Sequence, residues 1–210
     1  MCEILGSINN TNIELFKKSL TLLNHRGPDN QSIYSYKNCL FGHTRLSIID
    51  LDQHSNQPMQ IDDLVVIFNG EIYNYIEIRD ELVELGYSFD TQSDTEVLVK
   101  SYQEWGDKCV EKFNGMWAFA ILDKTKNIIF LSRDRLGVKP LYYIYNDKQF
   151  IFASEIKALL PYLNKVVAYK DEIVRYIIYG SQEHRKTTMF KDILRFPASH
   201  NAIFHLDKKR

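Results

Sequence analysis

The sequence holds only three cysteines in 210 residues, Cys2, Cys39 and Cys109, an odd number with no close pair. That scarcity excludes a disulfide framework and a Cys-x-x-Cys metal knuckle, and it fits a reducing compartment. No apolar run reaches the ~18 residues of a membrane span, and the first residues lack the basic-then-apolar order of a signal peptide. The expected location is therefore cytoplasmic. Neither sign of charge is in excess: 26 basic against 27 acidic residues give a net charge of −1. With no long run of either sign, nucleic acid and anionic membranes are excluded as partners, which leaves a small molecule or another protein surface. Internal repeats and low-complexity tracts are also missing.

Apolar residues, by contrast, make up 45% of the chain and aromatics 13%, enough for a substantial core in one large domain or two small ones. Thr11-Asn12-Ile13-Glu14 has capping-box form and opens an apolar stripe of Ile13, Phe16, Leu20 and Leu23 that Gly27 and Pro28 should close. Helices are also expected from Asn74 to Gly86, from Ser93 to Gly106 and over Lys170 to Tyr179, with a short one ending at Pro161. Runs rich in β-branched and aromatic residues predict strands over Glu3 to Asn9, Gln31 to Tyr36, Cys39 to Arg45, Leu64 to Phe68, Trp117 to Asp123, Ile128 to Arg133, Leu141 to Tyr145, Phe150 to Ala153 and Asn201 to His205. So many strands with so few crossover helices predict antiparallel sheets. Turn residues at Asp123 to Asn127 and at Asn146-Asp147 should join four of the strands into one meander, and Gly180 to Thr188 should form a surface loop.

The chemistry begins at Cys2. Removal of Met1 leaves a thiol and a free α-amine on one Cα, a nucleophile beside a base whose pKa of about 8 lies well below that of lysine. The plainer account of Cys2 is a small apolar residue opening a strand. Leu64-Val65-Val66-Ile67-Phe68 runs into Asn69-Gly70-Glu71. Asn-Gly is the commonest turn dipeptide, yet an Asn amide and a Gly N–H can also supply the two donors of an oxyanion hole. Arg45 lies among apolar residues, where a guanidinium needs a carboxylate partner. Asp94 complements the dipole of the helix it opens, and that alone would account for it. His43 or His25 could instead activate Cys2 in a Cys-His hydrolase, and no His or Cys cluster has metal-ligand spacing.

Taken in order, Cys2, His25-Arg26-Gly27-Pro28-Asp29, Gly42 to Asp50, Asn56-Gln57-Pro58-Met59, Phe68 to Asn74, Ser93-Asp94-Thr95-Glu96, Phe113 to Ala120 and Arg133 to Tyr143 resemble the glutaminase domain of glutamine-dependent asparagine synthetases. The resemblance covers nearly the whole chain. It implies a class II glutamine amidotransferase of α+β class, with the N-terminal-nucleophile hydrolase fold: four αββα layers built on two antiparallel sheets. It further implies Cys2 as nucleophile, Asn69 and Gly70 as oxyanion donors, Arg45 for the α-carboxylate of glutamine, and Glu71 and Asp94 for its α-ammonium. No metal or cofactor is implied for this half-reaction, ATP and Mg²⁺ belonging to a synthetase domain. The partners implied are glutamine and that synthetase domain, with a homodimer allowed.

Two departures stand out. Glu3 occupies a position where these domains carry glycine, and no Gly-Gly pair exists to build a pyrophosphate loop. Residues 1–195 are expected as the amidotransferase domain and 196–210 as the start of a connection to an absent synthetase domain, so that the chain is a piece of a longer protein or a free-standing glutaminase. The alternatives to ammonia supply for an aspartate-amidating synthetase are another acceptor, such as a sugar carboxylate, and a weak or inactive domain that binds glutamine or acts as a scaffold.

Overall fold

Two antiparallel sheets dominate the computed structural model, which describes residues 2–46, 56–180 and 185–207. Their strands in chain order are β1 (Glu3–Ile8), β2 (Asn30–Tyr36), β3 (Cys39–Arg45), β4 (Met59–Ile61), β5 (Leu64–Ile72), β6 (Gly115–Asp123), β7 (Ile128–Arg133), β8 (Tyr142–Asn146), β9 (Gln149–Ala153), β10 (Leu194–Arg195) and β11 (Asn201–His205). One sheet has the order β10-β8-β9-β1-β3-β2 and the other β11-β7-β6-β5-β4. The helices are α1 (Ile13–Thr21), α2 (Tyr75–Glu84), α3 (Asp94–Trp105), the single turn α4 (Cys109–Lys112) and α5 (Lys170–Tyr179). Among the described residues, no helix is long and apolar enough to cross a membrane.

Strand alternation sorts the core into three slabs. Between the sheets lie Ile4, Phe41, Val65, Ile67, Ala120, Leu131 and Phe152. The opposite faces of the same strands feed the outer slabs: Val66, Phe68 and Ile121 pack under Leu82, Val97 and Leu98 of α2 and α3, and Leu5 and Leu40 pack under Phe16 and Leu20 of α1. Each of these large apolar side chains contributes about 1.5–3 kcal/mol on leaving water. The result is four layers, helix, sheet, sheet, helix. Cys39 is buried between the sheets and Cys109 in the slab beneath α3.

Several expectations are corrected. The strand predicted to stop at Phe68 runs on to Ile72, because β6 stays in register with it as far as Ile72↔Gly115. Asn69-Gly70 is thus strand and not turn. The two hairpins form where the turn residues place them, but β6-β7 and β8-β9 belong to different sheets, so the four strands are not one meander. A hairpin signal is local, whereas the 134–141 crossing between the sheets is held by tertiary bonds. Helix α1 is capped by Asn12, whose side chain accepts from Leu15 N–H at 3.0 Å, and not by Thr11; Glu14 turns to Lys17 instead. It also ends at Thr21, well before Gly27, as i→i+3 bonds tighten the chain from Leu22 to Arg26. Pro161 lies inside a single 3-10 turn, Leu160–Tyr162. Strands β4 and β10, three and two residues long, carry too little pattern to be seen in sequence. Residues 196–205, expected within the connection, include β11, which pairs along its whole length with β7. The Ser47-Ile48-Ile49-Asp50 part of one motif, residues 181–184 of the polar stretch from Gly180, and Lys208-Lys209-Arg210 lie outside the described residues.

Candidate active site

Cys2 extends the alternation of β1 backwards. Ile4 faces the second sheet, so Cys2 faces it too, and Glu3 points to the opposite side. A cavity of about 200 Å³ opens in front of the thiol, walled by Cys2, Arg45, Asn69, Gly70, Glu71 and Asp94, and also by Leu46, Gln57, Phe68, Ser93, Thr95, Met116 and Lys139. All six residues singled out in the sequence meet there.

Strand β5 supplies the centre. Its N–H groups at Phe68 and Ile72 turn away from β6: Phe68 N–H donates to Gln57 Oε1 at 2.6 Å and Ile72 N–H to Asp94 Oδ2 at 3.1 Å. N–H groups two residues apart share one strand edge, so Gly70 N–H points to that edge as well, between the Gln57 and Asp94 side chains. A side chain at position 70 could not be accommodated, since a Cβ there would lie 2.3 Å from Met116 O. Asn69 lies on the inter-sheet face, and its amide donates to Ser154 Oγ at 3.5 Å. Ser154 Oγ in turn accepts from Ile4 N–H at 2.9 Å, which ties the amide to the strand of Cys2. The residues that carry this backbone N–H and this side-chain amide, two neutral donors, both border the cavity.

The charges sit around them. Arg45 is 5% exposed at the end of β3, and its Nη1 donates to Asn56 Oδ1 at 2.7 Å, which fixes one arm of the fork. Asp94 opens α3 behind the Ser93 cap, whose Oγ accepts from Thr95 N–H at 3.0 Å. Burial, with a smaller push from the Glu71 charge, raises its carboxyl to about 6, against the hydrogen bond from Ile72. The Cys2 thiol reaches Leu46 O at 3.6 Å. Burial raises its pKa, while Arg45 and Lys139 draw it back. His43 is fully buried and held neutral at about 3, mainly by burial, and does not line the cavity. His25 lies at the surface, where its Nε2 is 3.2 Å from Glu155.

Of the cavity residues given no catalytic or binding role from sequence, Gln57 and Lys139 bear most on the site. Gln57 braces β5 against α3, its Nε2 donating to Thr95 Oγ1 at 3.2 Å. Lys139 lies in the loop before β8 and yet is only 4% exposed. Its loop is built by Asp134, whose carboxylate accepts from Leu136, Val138, Lys139 and Trp117 N–H at 2.9–3.3 Å, and by Arg133, whose Nε donates to Lys139 O at 2.7 Å. The signal was present in the Arg133 to Lys139 stretch, but only the folded loop shows which residues build and which one is delivered. Asp134→Ala strands the buried Trp117 and Lys139 N–H groups and two partly exposed ones, and should cost about 3 kcal/mol. For a domain of this size that is a Tm lower by about 6–12 °C, measured by thermal unfolding, with Asp134→Asn recovering part of it.

A solved structure shares this layering. The glutamine phosphoribosylpyrophosphate amidotransferase from B. subtilis, in complex with ADP and GMP, superposes with a TM-score of 0.64 at 20% identity over 75% of this chain and 43% of its own. This is the N-terminal-nucleophile hydrolase fold, α+β, with two antiparallel sheets between helices. The profile of the glutamine amidotransferase domain matches residues 1–210, and the chain belongs to that family. It is 38% identical, over 99% of its length, to glutamine-hydrolyzing asparagine synthetase 3 of Bacillus subtilis (strain 168), of which it covers 35%. It is 42% identical, over 77% of its length, to glutamine-hydrolyzing asparagine synthetase B of Escherichia coli (strain K12), of which it covers 30%. The chain spans less than half the length of the curated relatives it matches.

Proposed function

We propose that the chain hydrolyses glutamine to glutamate and ammonia at Cys2, and that it supplies this ammonia to an ATP-dependent synthetase region of the longer protein, with aspartate as the acceptor. The observation that carries the reading is the cavity in which a thiol, two neutral donors, one guanidinium and two carboxylates converge. The Cys2 amine, freed by loss of Met1, takes the thiol proton, and sulfur attacks the side-chain carboxamide. Asn69 Nδ2–H and Gly70 N–H receive the oxyanion as it forms. As the tetrahedral intermediate collapses, the amine returns the proton to the amide nitrogen, the C–N bond breaks and ammonia leaves, and water then hydrolyses the thioester to glutamate. Arg45 binds the α-carboxylate, and Asp94 with Glu71 binds the α-ammonium, so the reacting amide lies toward Cys2. His43 is too weak a base for the Cys-His alternative, and His25 stands outside the cavity.

In this reading the hydrolysis needs no metal or cofactor, and ATP and Mg²⁺ act in the synthetase region. Incubation with glutamine alone should give glutamate and ammonia in equal amounts. The rate should be unchanged by EDTA or ATP, and no asparagine should form when aspartate, ATP and Mg²⁺ are added. Asparagine or AMP in the amino-acid and nucleotide analysis would overturn the assignment of synthesis to another region, and absence of glutamate would overturn the glutaminase itself.

A further inference from the structure

Glu3 has no place in the mechanism above, yet its carboxylate is completely buried. Strand alternation turns it to the face of β1 opposite Cys2 and away from the glutamine cavity, whose walls do not include it. There Arg26 reaches it from the turn after α1, Nε to Oε1 at 3.2 Å. That turn is pressed against the nucleophile sheet: a Cβ on Gly27 would lie 2.4 Å from the Thr44 backbone. Glu155, just past the end of β9, brings a second carboxylate. Its Oε1 is 4.0 Å from Arg26 Nη1 and 3.2 Å from His25 Nε2, and its Oε2 is 3.0 Å from Lys157 Nζ. On the cavity side, Lys139 feels the negative charge of both Cys2 and Glu3.

We propose that Glu3 is a positioning residue for Cys2 which acts from behind the nucleophile's own strand: the ion cluster it forms with Arg26 and Glu155 sets the pH at which the thiol and terminal amine of Cys2 give up their protons. This rests on the reading of Cys2 as nucleophile. The charged groups on the Glu3 side are Arg26 from the α1–β2 turn and Glu155 beyond β9 with its partners His25 and Lys157; Lys139 and Cys2 lie across the strand on the cavity side. Burial first, and then the Glu155 charge, push the Glu3 carboxyl up to about 7, with Arg26 and the Ser154 hydroxyl pulling the other way. Glu3 therefore gains its negative charge across the neutral range. A negative charge next to Cys2 favours the protonated forms of both its thiol and its amine, so both groups titrate higher than they would beside a neutral residue.

The test is alkylation of Cys2 by iodoacetamide across the pH range, read by peptide mass spectrometry; Cys39 and Cys109 are buried and serve as internal controls. It is run on the wild type and on Glu3→Gln, Glu3→Gly and Glu3→Asp, all freed of Met1. Glutamine and glycine at position 3 should move the alkylation profile to lower pH by about half a unit, about threefold faster at pH 7, while aspartate should keep the wild-type profile. The acidic limb of glutaminase kcat/KM should move the same way. Superimposable alkylation profiles overturn the proposal, as does failure of both neutral variants to fold, which would make Glu3 structural. A shifted alkylation profile without glutamine hydrolysis in any of the proteins would leave the proton coupling standing and defeat the functional reading instead.

Discussion

Replacing Cys2 by alanine should abolish glutamine hydrolysis, a fall of roughly 10⁴-fold or more, and should leave glutamine binding within a few-fold of wild type. Both halves follow from the geometry. In the proposed reading the thiol forms the covalent bond to the carboxamide, whereas Arg45, Asp94 and Glu71, which line the same cavity, hold the backbone end of the substrate. Because burial raises the thiol pKa, sulfur keeps its proton at neutral pH and a base is required. The only base attached to the same residue is the α-amine, and it exists there only after Met1 is gone. Protein shown by intact mass to retain Met1 should therefore be as inactive as the alanine variant, although its thiol is intact. Equal turnover by Met1-retaining and Met1-free protein, in an assay coupled to glutamate formation, would sink the amine as base. Residual turnover in Cys2→Ala would sink the nucleophile.

How far this site could be read from sequence differs from residue to residue. The sheets were legible because period-two and continuous apolar runs survive in single segments: β3, β7 and β11 lie where their residues place them, and the Ser93 cap and Gly106 stop bound α3. The pairing of hairpins into sheets was not legible. Nothing local in Asp134 to Leu141 says that it crosses from one sheet to the other, since its conformation is held by Asp134 and Arg133 reaching residues that include Trp117 and Phe196.

The site itself comes from separate segments: the start of β1, the end of β3, the end of β5, the first residue of α3 and the loop before β8. Each of these is ambiguous alone. Asn69-Gly70 reads as a turn by composition, and only the pairing with β6 makes it a strand whose glycine is demanded by close approach and not by a left-handed backbone. Glu3 shows the reverse limit. In sequence it looks like an intrusion beside the nucleophile. In the structure the alternation of β1 sends its side chain to the far face, where Arg26 and Glu155 meet it.

Loss of either Arg45 or Asp94 should weaken glutamine binding by at least tenfold and as much as about 10³-fold, because removing one partner of a buried charged contact costs roughly 2–5 kcal/mol. Arg45→Ala and Asp94→Asn remove opposite ends of the same zwitterion, so the double variant should lose less than the product of the two single losses if each contact helps to hold the substrate in register for the other. Asp94 also fixes a pH dependence whose sign can be worked out. Its carboxyl is raised to about 6, and only the ionised form attracts the α-ammonium, which stays charged throughout this range. Affinity should therefore be full above about pH 7. It should fall toward tenfold per unit as pH drops below 6, where each glutamine bound must first displace a proton. Asp94→Asn should flatten that acid limb and leave the remaining weak affinity nearly independent of pH between 5 and 7. Calorimetric titration of glutamine into Cys2→Ala protein measures all of this without turnover. Unchanged affinity in the single variants would reduce Arg45 and Asp94 to structural residues, while an acid limb that persists in Asp94→Asn would assign the titrating group elsewhere, with Glu71 on the same wall as the next carboxylate to replace.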